Sequence, residues 1–388
     1  MKKTRDICTH ESESNIGEYL AVSMPIVQTS SFKFNSYEDF LDIVSDEKNS
    51  YMYTRGSNPT TKLIENRLAK LEGGEACKVF SSGMAAITST LFTMLKSGDH
   101  ILTIGTIYGQ TVSFMKYLSK FNVSHSNIAS DEKVDIESAI KENTKVIYIE
   151  SPSSQHMRLY DLEVISKIAK ENNIITIMDN TWSTAIFQKP IEWGIDIVIH
   201  SCSKYIGGSS DVVAGAVISK RDIVDDIFEN GHQTLGGVSS PFNSWLLLRS
   251  LTTLPIRMKQ HDESVRKVID FLKSDSRIKA IYHPYCSEGK QKELAKKYLS
   301  GYSSLLSFEL VDSDFNKLIK FVDSFKLFTI GVSWGGFESL ILPANKGINH
   351  EDLKARGIGE SHIRLYVGLE DPESLIDDIK TALDKIYI

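Results

Sequence analysis

Six short apolar runs, residues 78–80, 101–104, 146–149, 174–178, 195–199 and 212–218, punctuate the chain, and several are apolar at nearly every position. A strand with one wet face alternates apolar and polar residues, and those several do not, so both their faces are expected to be buried. Helical stretches separate them. That alternation specifies an α/β fold with a mostly parallel sheet covered by helices. Ligands of such sheets bind beyond the carboxyl ends of the strands. Asp179 and Lys204 each fall just past such an end.

With 388 residues the chain exceeds one ordinary core, so two domains are expected. Residues 1–57 show weak periodicity and read as an N-terminal arm. From 58 the pattern becomes regular: Asn58 can cap a helix, Pro59 suits its first turn, and Gly73-Gly74 ends it. A long helical stretch over 240–274 has Pro255 inside it, where a proline kinks or breaks a helix. The joint is therefore placed near 250, giving an α/β domain over 58–250 and a smaller α+β domain over 251–388. The latter carries strands at 304–310 and 363–367 and a helix at 372–386.

Lysine and arginine total 44 against 50 aspartates and glutamates, with no long basic block, so nucleic acid is not an expected partner. No apolar run reaches bilayer length, so no membrane association is expected. The opening MKKTRDICTHESES lacks the apolar segment of a secretory signal. Cys8, Cys77, Cys202 and Cys286 are scattered without a CxxC pair, which fits a reducing cytoplasm and neither a disulfide framework nor a zinc site.

Phosphate-loop, dinucleotide and zinc-protease motifs are absent. Gly331-Val-Ser333-Trp-Gly335 matches the serine-hydrolase elbow, with Asp352 and His362 following in hydrolase order. That elbow needs a helix directly after the serine, and residues 337–343 read as a strand instead. A second constellation joins Asp179, Lys204 and the turn Ser81-Ser82-Gly83-Met84, which opens a helix over 85–95. Taken singly, these are a strand-end cap, a snorkelling lysine and a turn. Together they suit an aldehyde cofactor: a lysine to hold it, a carboxylate for its pyridine nitrogen, and helix-start N–H groups with hydroxyls from Ser82, Ser201 and Ser203 for its phosphate. The group with these needs is pyridoxal 5′-phosphate.

The chain resembles the Cys/Met-metabolism family of pyridoxal-phosphate enzymes over nearly its whole length. The matching stretches are YTRGSNPT (53–60), LEGGEACKVFSSGMAAI (71–87), IYGQT (107–111), ESP (150–152), MDNTW (178–182), HSCSKYIGGSSD (200–211), SPFNSWLLLRSLTTLPIRM (240–258), SWGGFESL (333–340) and IRLYVGLEDPESLIDDI (363–379). The resemblance implies the aspartate-aminotransferase-like fold, known as fold type I. It implies that Lys204 forms the Schiff base and shuttles the proton, that Asp179 pairs with the pyridine nitrogen, and that Tyr108 stacks on the ring and helps take a proton. It places Ser82, Gly83, Met84, Ser201 and Ser203 at the phosphate. Tyr53 and Arg55 would reach a neighbouring subunit's phosphate, with Tyr53 also serving catalysis, in a homotetramer built as a dimer of dimers. Arg364, with Ser333 and Trp334, would bind the substrate, a sulfur amino acid.

Trp182 and Trp334 resemble the bacterial cystathionine β-lyase branch. Val332 stands where many γ-synthases and cystathionine γ-lyases carry glutamate, and Gln110 where methionine γ-lyases carry cysteine. The departures are Ser209 for a usual histidine, Ser154 for the asparagine near the cofactor's ring hydroxyl, and Phe337 and Val332 where tyrosine is usual. The expectation is β-elimination from cystathionine or a related sulfur amino acid such as cysteine. The alternatives are a γ-lyase or γ-synthase on the same residues, and a binding protein without catalysis.

Overall fold

Asn58 and Pro59 begin helix α1 (Pro59–Glu72): the Asn58 side chain accepts the Thr60 N–H, and Gly73 closes the helix in the left-handed region at φ 85°. The structure is a computed structural model describing residues 2–9, 22–129 and 132–387. Of the expected N-terminal arm, residues 1 and 10–21 lie outside the described residues. Within the rest, two α-helices form, Lys2–Thr9 and Tyr37–Ser45, the second capped by Ser36, followed by a 3-10 turn at Glu47–Asn49. The chain divides into two compact units.

The first unit comprises Met1–Glu150, Asp161–Gly207 and Asp211–Pro255. Its strands are β1 (Ala76–Phe80), β2 (His100–Ile104), β3 (Ser124–Ile128), β4 (Thr144–Glu150), β5 (Ile175–Asp179), β6 (Ile197–His200) and β7 (Gly215–Ser219), in the order β1-β7-β6-β5-β4-β2-β3. The steps β3-β2-β4-β5-β6 are parallel, and β7 runs antiparallel to both its neighbours. Phe80, Leu91, Tyr148, Ile177, Ile199 and Val217 pack into one core, as runs buried on both faces require. Helices α2 (Gly83–Met94) and α3 (Gly109–Tyr117) follow β1 and β2. Strand β3, sequence SHSNI, is partly exposed and pairs on one side only, so it carries no apolar run to announce it.

The 240–274 stretch is not one kinked helix. It is two, Pro241–Leu251 and Leu254–Ser274, and Pro255 sits in the first turn of the second. There the missing N–H would have had no partner in any case.

The second unit comprises Ser151–Tyr160, Gly208–Ser210 and Ile256–Ile388. Its strands β8 (Ile278–Tyr282), β9 (Leu305–Leu310), β10 (Thr329–Ile330), β11 (Leu340–Pro343) and β12 (His362–Tyr366) are ordered β10-β11-β12-β9-β8. Only the β10-β11 step is parallel. Phe308, Ile363 and Leu365 of this sheet pack with Leu375 and Ile379 of the helix Pro372–Asp384.

Candidate active site

Three backbone segments of the first unit converge at the start of α2. Ser82 caps it, its hydroxyl accepting the Ala85 N–H at 2.9 Å. A Cβ on Gly83 would stand 2.9 Å from Ser201 Cβ, and a Cβ on Gly215 would overlap the Ser82 backbone. Glycine at both positions lets the helix start, the turn after β6 and strand β7 close on one another. The result is a set of helix-start N–H groups beside hydroxyls, which is an anion cradle.

The Ser203 hydroxyl is engaged with Ala214, donating to its carbonyl at 3.2 Å and accepting its N–H at 3.0 Å. The Ser201 N–H donates to Thr181 Oγ1 at 2.8 Å. Half-buried Lys204 lies in this turn, its N–H donating to the Ser201 carbonyl at 3.1 Å. Met84 follows Gly83 in the first turn of α2.

Asp179 ends β5. Burial raises its carboxyl pKa, opposed by hydrogen bonds from Thr181 and by the charges of His200 and Lys204. Glu150 ends β4 as its register partner. Tyr108 caps α3 with a ring that is 49% exposed, and its N–H donates to Glu150 Oε1 at 2.6 Å. Trp182 is buried two residues beyond Asn180. Tyr53 and Arg55 share an exposed turn, with the guanidinium carbon 5.5 Å from the ring centroid.

In the second unit, Arg364 lies mid-strand in β12, and its Nη2 donates to the Ser333 carbonyl at 3.2 Å. Ser333 adopts a left-handed backbone, φ 80°. The loop it opens is pinned along its length. Tyr366 Oη donates to the Gly336 carbonyl at 2.6 Å, the Leu369 N–H to the Phe337 carbonyl at 2.8 Å, and Ser339 to the Glu370 carboxylate. Ser210, itself left-handed, donates to Glu338 at 2.6 Å. Half-buried Trp334 and exposed Val332 and Phe337 give this loop an apolar rim. The next element after Ser333 is strand β11 rather than a helix, and His362 is buried, so the hydrolase elbow is not formed.

Within the first unit the structure thus gathers Ser82, Gly83, Ser201, Ser203, Lys204 and Asp179 at helix starts and strand ends. Within the second it joins Arg364 to Ser333. Sequence reasoning assigned nothing to Thr181 or Glu150. Glu150 carries the same signature as Asp179, a carboxylate closing an apolar strand.

The set fits pyridoxal phosphate: a cradle that a Cβ would fill, a desolvated carboxyl, a lysine in the adjoining turn and an exposed aromatic ring. The family model for Cys/Met metabolism PLP-dependent enzymes matches residues 4–384. The chain is 38% identical over 375 residues to an L-methionine γ-lyase of Fusobacterium nucleatum subsp. nucleatum, covering 95% of each. It is 38% identical over 370 residues to a cystathionine β-lyase of Lactococcus lactis subsp. cremoris, covering 94% of each. A putative O-acetylhomoserine (thiol)-lyase of Campylobacter jejuni, solved with N′-pyridoxyl-lysine-5′-monophosphate, superposes with a TM-score of 0.91 at 30% identity, over 98% of this chain and 99% of that one.

Proposed function

Since the chain belongs to the Cys/Met metabolism PLP-dependent enzymes, we propose that it is a carbon–sulfur lyase that β-eliminates cystathionine or a related sulfur amino acid. The observation that carries a lyase reading is the grouping of Lys204 and Asp179 beside the α2 cradle. Bound pyridoxal phosphate supplies electron withdrawal from the substrate Cα. Asp179 would keep the pyridine nitrogen protonated. The α2 start, with Ser82, Gly83, Met84, Ser201 and Ser203, would hold the phosphate, and Tyr108 would stack on the ring. Arg364 would take the α-carboxylate in a two-pronged hydrogen bond, with Ser333 and Trp334 beside it. Lys204 Nζ would accept the α-proton. The β-carbon–sulfur bond then breaks, the thiol leaves, and water completes conversion of the remainder to pyruvate and ammonia. Tyr53 and Arg55 would serve a neighbouring subunit's phosphate in a homotetramer, which size measurements in solution test.

Trp182 and Trp334 support the β-reading. A second reading, γ-elimination from methionine, draws on exposed Val332 and Phe337, an apolar rim suited to an uncharged thioether side chain. Product analysis with L-cystathionine separates them. β-Elimination gives homocysteine and pyruvate, and γ-elimination gives cysteine and 2-oxobutyrate.

A further inference from the structure

We infer that Glu150 is a positioning residue whose buried carboxylate fixes the start of α3 and, through it, the ring of Tyr108. This rests on the reading above that Tyr108 stacks on the cofactor.

Tyr108 occupies the cap position of α3 with no side-chain cap bond. A tyrosine has no short acceptor to offer the helix start. The acceptor arrives from elsewhere in the chain: Glu150 Oε1 takes the Tyr108 N–H at 2.6 Å, across 42 residues. A carboxylate at a helix N-terminus also meets the positive end of the helix dipole. The Tyr108 ring is half exposed, so packing covers only part of it and the placing of its backbone bears directly on where the ring sits.

Glu150 is 7% exposed and is the register partner of Asp179. Register partners point to the same face of a sheet. Two neighbouring strand ends thus direct carboxylates to one face, Asp179 as the candidate partner of the pyridine nitrogen and Glu150 as the anchor of the candidate stacking ring. On that face, two residues before Glu150, Tyr148 is fully buried. Its phenol pKa is pushed well up, by burial first and then by Asp179 and Glu150.

A helix cap with a purely structural role and a positioning residue make different predictions in a double-variant comparison. The cofactor-free full chain is titrated with pyridoxal phosphate, followed by tryptophan fluorescence, for wild type, Tyr108→Ala, Glu150→Ala, Glu150→Gln and the Tyr108→Ala/Glu150→Ala double. Glu150→Ala is expected to raise Kd by about ten- to a hundredfold. Glu150→Gln, which keeps an acceptor oxygen, should recover most of that. The double should bind no more weakly than Tyr108→Ala alone. Amide exchange in the cofactor-free protein should show Tyr108 N–H losing protection in Glu150→Ala and keeping it in Glu150→Gln. This readout serves if Glu150→Ala binds poorly through misfolding.

Losses that multiply in the double variant overturn the inference. So does a Tyr108 amide that exchanges equally in both Glu150 variants. Wild-type Kd in Glu150→Ala beside a weakened Tyr108→Ala overturns the inference alone. Wild-type Kd in Tyr108→Ala removes the stacking role, and the inference falls with it.

Discussion

Thr181 binds Asp179 and Ser201 at once: its backbone N–H donates to Asp179 Oδ1 at 2.9 Å, and its hydroxyl accepts the Ser201 N–H at 2.8 Å. The turn after β5 is thereby tied to the turn after β6. The proposed partner of the pyridine nitrogen and the proposed phosphate ligand are held by one buried residue.

Asp179 has a raised pKa in the folded chain, with burial the largest cause. A carboxyl whose folded value lies above its unfolded value stabilises the fold at low pH, and that contribution is lost as pH rises through the folded value. At neutral pH burial of the Asp179 carboxyl therefore weighs against folding of the cofactor-free protein. Asp179→Asn keeps an oxygen for the Thr181 N–H and removes the charge. The cofactor-free variant should melt higher than wild type at pH 7 while binding pyridoxal phosphate far more weakly. A lower melting temperature would mean that Asp179 is an ordinary structural cap.

Gly215→Ala tests the cradle. Its Cβ would run into the Ser82 backbone, which cannot yield as a side chain can. Strain of about 1–3 kcal/mol is expected, felt where Ser82 starts α2. Calorimetry should show a lowered melting temperature, and titration a weakened cofactor affinity. Unchanged affinity in a folded variant would separate this close approach from phosphate binding.

Arg364→Lys replaces a planar fork with a point charge. Steady-state kinetics should show KM for the amino acid raised by about tenfold or more, the loss of one charge-assisted hydrogen bond, with cofactor affinity unchanged. An unaltered KM would take Arg364 out of substrate binding.

Buried histidines set the acid limb of stability. Burial lowers His100, His283 and His362 to about 4 and His232 and His261 to about 3, against an ordinary 6.5. Unfolded histidines bind protons below about 6.5 and these folded ones do not. Stability present above 6.5 is therefore lost as pH falls towards 4, at up to about 1.4 kcal/mol per pH unit for each histidine. His362 is the informative one, because neither ring nitrogen has a hydrogen-bond partner among the described residues. Charges facing it are those of Glu309, His156 and Arg356. His362→Phe should flatten the slope of denaturant midpoint against pH between 6.5 and 4. An unchanged slope would mean that the ring is protonated in the folded chain.

The α/β fold was legible because strands buried on both faces are apolar at nearly every central position, as 146–149 of β4, 175–178 of β5 and 197–199 of β6 are. Strand β3 was not, because an edge strand such as SHSNI need not be. Pro255 was visible, but its place in a first turn depends on the break at Thr252-Thr253 before it. The turn 81–84 and Lys204 stood out as local chemistry at element ends. The Glu150 contact with Tyr108 did not, since only the β2-β4 pairing brings residues 42 apart in sequence into hydrogen-bond range.

Everything proposed for this site depends on Lys204 holding the cofactor. The direct measurement is to reduce the pyridoxal-phosphate-loaded protein with borohydride, digest it and locate the pyridoxyl group by mass spectrometry. The account predicts it on Lys204, within the peptide that carries Ser201 and Ser203, and no such adduct at that position in Lys204→Ala. A pyridoxyl group on another lysine, with Lys204 unmodified, would contradict it.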